Sequence, residues 1–131
     1  MKRIILGLSI LLILVQNGFA EGSNGDWLRY LVECSAQATQ ATKYDNHADF
    51  KVNMDGCHKA IMILETTPKL SKMQNDALTE SYTNMGVLYY YKSDWINSYK
   101  YLKIAADRGN LIARRNLENV LCKEHPWACK Q

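Results

Sequence analysis

Proline is scarce in this chain, with two in 131 residues, and glycine is limited to seven. That excludes a linker or a collagen-like chain. Disorder is excluded by composition, because 47% of the residues are hydrophobic. Charge of one sign is also lacking: the formal net charge is +3, and two of the basic residues, Lys2 and Arg3, stand at the very start. Without them 14 basic side chains face 13 acidic ones, so no broad basic field points to nucleic acid or an anionic membrane. Motifs of chemistry are missing as well. The sequence holds no G-x-S-x-G, no H-E-x-x-H, no glycine loop of the phosphate-cradling kind and no C-x-x-C. The three histidines, His47, His58 and His125, are scattered and read as exposed or structural. No catalytic residue, cofactor or metal is expected from this pattern.

A start of the secretory type is present. Lys2 and Arg3 precede an apolar run from Ile4 to Val15, and Gly18-Phe19-Ala20 closes it with small residues around one aromatic. The expectation is a signal peptide over residues 1–20, cleaved after Ala20, and a single domain over residues 21–131 that begins at Glu21. The apolar run would form a helix of roughly 18 Å, short of the ~30 Å hydrocarbon core, which argues against a membrane anchor. The first cysteine, Cys34, is too far from the run for a lipoprotein. These features predict a periplasmic or secreted protein with no stable membrane insertion after cleavage.

Export changes how Cys34, Cys57, Cys122 and Cys129 read. Four cysteines in an oxidising compartment allow three pairings, and sequence proximity favours Cys34 with Cys57 and Cys122 with Cys129. Cys122, His125 and Cys129 also have metal-like spacing, with His47 or His58 as a fourth ligand, but disulfides outweigh metal in an exported chain.

Apolar spacing is helical throughout, with no sustained period of two. Trp27, Tyr30, Leu31, Cys34, Ala38 and Ala41 share one face of a first helix. A second helix carries Phe50, Met54, Cys57, Ile61 and Leu64, capped by Asn46 and Asp49 or, because Asp55-Gly56 interrupts it, beginning near Cys57. Pro68 ends that segment. Ser71 and Gln74 form a capping box for a third helix, on which Met73, Ala77, Leu78, Met85, Leu88 and Tyr89 face inward. Ser93 or Asp94 caps a fourth, with Trp95, Ser98, Tyr99, Leu102, Ala105 and Ala106, and Gly109 ends it in the left-handed region. A fifth runs from about Asn110 to Lys123. Pro126 stops it before the tail.

From Met85 onward the chain reads Met85-Gly86-x-x-Tyr89, then Ser98, Leu102, Ala105-Ala106, Gly109-Asn110, Ala113 and Leu117. This resembles the Sel1-like branch of the tetratricopeptide repeats, with Ser98 where alanine is usual and Ile104 inserted. The resemblance covers residues 77–117 well and residues 26–68 faintly. It implies an all-α, short helical-hairpin solenoid of about five helices, stapled by disulfides. Gly86 and Ser98 would mark the closest crossing of one hairpin, with Tyr89 and Leu102 filling the wider gaps. Cys34 and Cys57 would occupy the matching sites of the first hairpin and bridge it.

The same resemblance implies protein–protein interaction through a concave groove. It places Glu80, Thr83, Asn84, Val87, Tyr90 and Tyr91 on the groove side of the third helix, and Arg115 and Asn119 on the fifth. Tyrosine is favoured at such contacts because it combines a rigid contact area with a polar tip. The partner would be another protein, and small exported Sel1-like chains include immunity proteins that neutralise antibacterial effectors. A scaffold of an envelope complex is the alternative. A third reading is a cysteine-rich Sel1-like penicillin-binding or β-lactamase-type enzyme, against which no serine here has a lysine three residues later in S-x-x-K order.

Overall fold

The computed structural model describes residue 4, residues 25–45 and residues 50–130. Among these the chain is all-helical. The expected signal peptide, apart from Ile4, lies outside the described residues, as do His47 and the cap candidates Asn46 and Asp49. Helix α1 spans Asp26–Tyr44, α2 Asp55–Glu65, α3 Lys72–Tyr91, α4 Trp95–Asp107 and α5 Leu111–Asn116. The last continues without a break through a π-helical turn, Leu117–Leu121, and a final turn, Cys122–Glu124, before a 3-10 tail over Pro126–Lys130.

The first two helices form an antiparallel hairpin. Trp27, Leu31, Cys34, Ala38 and Ala41 of α1 are buried, and Cys34 is bridged to Cys57 of α2 with the Cα atoms 4.4 Å apart. Such closeness requires a glycine in the first turn of α2. A β-carbon on Gly56 would stand 2.7 Å from the backbone nitrogen of Cys34. In that first turn Asp55 N–H donates to Asn53 Oδ1 at 3.0 Å and Gly56 N–H to Gln37 Oε1 of α1 at 3.1 Å, which satisfies two of the turn's free donors. Helix α2 therefore takes the later of its two expected starts. Phe50 precedes it, half-buried, with its ring 6.1 Å from that of Tyr44.

The capping box at α3 forms as expected: Ser71 Oγ accepts from Gln74 N–H at 3.1 Å, and Gln74 Oε1 accepts from Ser71 N–H at 2.9 Å. Helix α3 crosses α4 at Gly86, where a β-carbon would meet Leu102 Cγ at 2.6 Å and its backbone nitrogen at 3.0 Å. Ser98 Oγ donates to the Gly86 carbonyl at 2.8 Å, so the small residue also closes a hydrogen bond at the crossing. At the far end of the pair Arg108 Nε donates to Thr79 Oγ1 at 2.8 Å, and its guanidinium lies 5.7 Å from the centre of the Tyr82 ring.

The joints on either side of α4 repeat one geometry. At the end of α3, Ser93 N–H bonds to the Tyr90 carbonyl and Asp94 N–H to that of Tyr89. At the end of α4, Gly109 N–H bonds to Ala106 and Asn110 N–H to Ala105. Each is a Schellman turn with its third residue in the left-handed region, Ser93 at φ 60° and Gly109 at φ 94°. The residue that completes each turn caps the next helix: Asp94 accepts from Asn97 N–H, and Asn110 from Ala113 N–H. Of the two cap candidates for α4, Asp94 is thus the one used. Ser93 holds a conformation that costs an L-residue about 1 kcal/mol. Ser93→Gly is expected to raise stability by about that amount, measured as a shift of the denaturant midpoint at constant slope.

The fifth helix covers the expected span but widens inside it. Cys122 N–H bonds to the Leu117 carbonyl, five residues back, which turns Cys122 by about one position relative to an ordinary helix. Cys122 is bridged to Cys129 in the tail, Cα to Cα 5.7 Å. Among the described residues no cysteine is free and no group of three or more His, Cys, Asp or Glu is placed to hold a metal. The His125 ring stacks on that of Trp95, with centroids 3.8 Å apart, beside the bridged Cys122 and Cys129. His58 is exposed on α2. No helix among the described residues is long and apolar enough to cross a membrane.

Candidate partner-binding face

Helix α3 is the centre of the molecule, packed against α1, α2 and α4. Its residues from Ala77 to Leu88 are all buried, so its own apolar stripe does not mark which side meets a neighbour. The eight residues expected to form a groove fall into three groups. Glu80, Thr83, Asn84 and Val87 are buried, Tyr90 and Tyr91 are half-buried, and Arg115 and Asn119 are exposed on the fifth helix.

In the first group Asn84 Nδ2 donates to Ser35 Oγ of α1 at 3.2 Å, a contact between residues far apart in sequence. Glu80, one turn before Asn84, is 2% exposed, and its Oε1 has no hydrogen-bond partner. Burial pushes its carboxyl up from the ordinary 4.5 to about 7, with Asn84 pulling in the opposite direction. A carboxylate in that position is costly while it stays unpaired.

The second group belongs to an aromatic cluster that locks the tail. The Tyr90 ring stands edge-on to Tyr91 at 5.3 Å and to Trp95 at 5.4 Å between centroids. Its hydroxyl donates to the Glu124 carboxylate, and burial, with that contact second, raises the phenol above its usual range. Trp95 in turn carries the His125 ring. Tyr89 stacks on Tyr101 at 5.5 Å. Tyr90 therefore packs within the chain as well as standing at the edge of the predicted face, a role its spacing did not reveal. The signal would have been a carboxylate near the chain's end, but Glu124 lies too far along the sequence for any periodic argument to connect it with Tyr90.

Two variants separate packing from contact. Tyr90→Phe keeps the ring and removes the bond to Glu124, which should cost about 1 kcal/mol in a urea melt. Arg115→Ala should leave the melt within about 0.5 kcal/mol of the parent, because an exposed side chain away from a core contact is lost. Compared with known proteins, the chain matches no family model, no curated protein and no solved structure.

Proposed function

We propose that the chain is an exported protein-binding module built as a short Sel1-like helical-hairpin solenoid, and that it acts as a periplasmic immunity protein that binds and neutralises an antibacterial effector. The observation that carries this reading is a close crossing at small residues in each of two hairpins: Cys34 is bridged to Cys57 in the first, and Ser98 bonds to the Gly86 carbonyl in the second. Small side chains at matched crossings are what a stacked helical repeat needs, because close backbone approach sets the angle of each pair. Stacked repeats expose extended surfaces suited to proteins rather than to small substrates. A chain with few repeats needs other staples, and the two disulfides supply them.

The test is affinity capture from periplasmic extract and culture medium with the chain beginning at Glu21. One stoichiometric partner whose hydrolase activity falls on binding is the expected result. Capture of an envelope-assembly component with no activity lost would replace the inhibitor with a scaffold. Hydrolysis of a penicillin by the purified chain alone would overturn the binding-module reading.

A further inference from the structure

The two disulfides differ in their surroundings. Cys34 and Cys57 are wholly buried between α1 and α2, whereas Cys122 and Cys129 are half-buried near the end of the chain. Each of the latter is followed directly by an exposed lysine, Lys123 or Lys130. The backbone before Cys122 is also unusual. In an ordinary helix of about 100° per residue, Ala113, Leu117, Val120 and Leu121 share an arc of about 100°, and Cys122 stands about 180° from Ala113. Those four side chains are buried, a pattern that an ordinary helix satisfies without widening. The bond from Cys122 N–H to the Leu117 carbonyl instead holds Cys122 back by one position, about 100°, which swings it from the outer side toward the buried one. In that position it bridges Cys129, Cα to Cα 5.7 Å. No proline or glycine lies within Leu117–Leu121 to impose the π turn. The feature of this segment that uses the turn is the bridge.

We propose that Cys122–Cys129 is a thiol–disulfide exchange site for a dithiol reductant, and that its reduction lets the π turn revert to α-helix and withdraws Glu124 and His125 from Tyr90 and Trp95. One thiolate of the dithiol attacks a sulfur of the bridge and displaces the other cysteine as a thiolate. The second thiol of the reagent then attacks the mixed disulfide and releases the first cysteine. The dithiol is oxidised to its cyclic disulfide, and its two protons end on Cys122 and Cys129. The cationic neighbours Lys123 and Lys130 favour the thiolates released on the way. The buried bridge offers the same reagent no exposed sulfur. With the tail bridge open, Cys122 N–H bonds to the Glu118 carbonyl, four residues back, and all that follows rotates by about 100° about the helix axis. A side-chain tip about 5 Å from that axis moves by about 8 Å. Neither the hydrogen bond from Tyr90 to Glu124 nor the stack of His125 on Trp95, centroids 3.8 Å apart, spans such a displacement. The Tyr90 hydroxyl and one face of Trp95 then open beside Tyr91, at the edge of the predicted partner face. The switch takes from the protein-binding reading only the use made of this surface.

The experiment treats the full chain with dithiothreitol, traps the thiols by alkylation and follows the tail by NMR. Cys122 and Cys129 are expected to be alkylated at least about tenfold faster than Cys34 and Cys57. In the oxidised chain, nuclear Overhauser contacts join the His125 and Trp95 rings. Once Cys122 and Cys129 are reduced, these are lost, and the residue paired with Cys122 along the helix changes from Leu117 to Glu118. The double variant Cys122→Ser with Cys129→Ser should show the reduced pattern with no reagent present, and far-UV circular dichroism confirms that it is folded. Three results would each overturn the switch: equal alkylation of both bridges, ring contacts between His125 and Trp95 that survive reduction, or a π turn retained in the reduced chain. The measurement needs no partner, so the two readings fail separately. A tail that stays in place leaves the immunity reading standing, and a tail that moves in a chain that captures no protein does the reverse.

Discussion

Glu80→Gln will raise the thermal midpoint of the full chain at pH 8.5 and leave it nearly unchanged at pH 4. The carboxyl is raised from 4.5 to about 7 in the folded state by burial. The folded chain therefore holds this proton more tightly than the unfolded one. Stability from the group is complete below pH 4.5 and is lost as pH rises through 7. Above that point, ionising Glu80 in the fold costs about 3 kcal/mol relative to the unfolded chain. Glutamine has the shape of the neutral acid and carries no charge, so the cost disappears with it. The expected gain at alkaline pH is a rise of roughly 10 °C, read by calorimetry over a pH series. A variant curve parallel to that of the parent at all pH values would show that Glu80 is not the titrating group.

Replacing Cys34 and Cys57 together by alanine will lower stability by about 3 kcal/mol. The bridge joins residues 23 apart, and cutting it returns the chain entropy of that loop to the unfolded state. Both cysteines are wholly buried at the crossing of α1 and α2, so their replacement also leaves a void between the two helices. The double replacement of Cys122 and Cys129 should cost less, since that bridge spans a separation of 7 and its cysteines are half-buried. Chemical denaturation of the two double variants measures the difference. Mild reductant should also open the tail bridge first, followed by mass mapping of the alkylated thiols.

Local chemistry was legible in the sequence because its rules act over one turn. Ser71 with Gln74 and Gly109 needed only their neighbours to be read as a cap and a stop. Gly86 and Ser98 were legible as crossing residues through their match to the Sel1-like pattern, which keeps small residues where two helices cross. The burial of Glu80 was not legible. A helix at the centre of a fold is covered on sides where its own sequence is polar, and period alone reports only the strongest side. Ser93 in the left-handed region carries no mark either, because serine gives no conformational signal of the kind glycine does. The π-helical turn at Leu117–Leu121 lacks any proline or glycine that would announce it, and it changes the phase between Arg115 and Cys122. Tyr90 with Glu124 is a long-range contact, invisible to any local pattern.

The tail described above has a bearing on how the chain resists proteolysis. A loose carboxyl end is where exopeptidases begin, and frayed termini are the usual site of attack. Here Pro126–Lys130 is held from two directions, by the bridge from Cys129 to Cys122 and by the His125 ring on Trp95. While the bridge is intact, Pro126–Lys130 cannot extend as a protease needs its substrate to. Reduction would release the tail, and digestion would then run back to the fifth helix and uncover the aromatic cluster. Resistance of this segment to digestion thus depends on the redox state of one partly exposed bond.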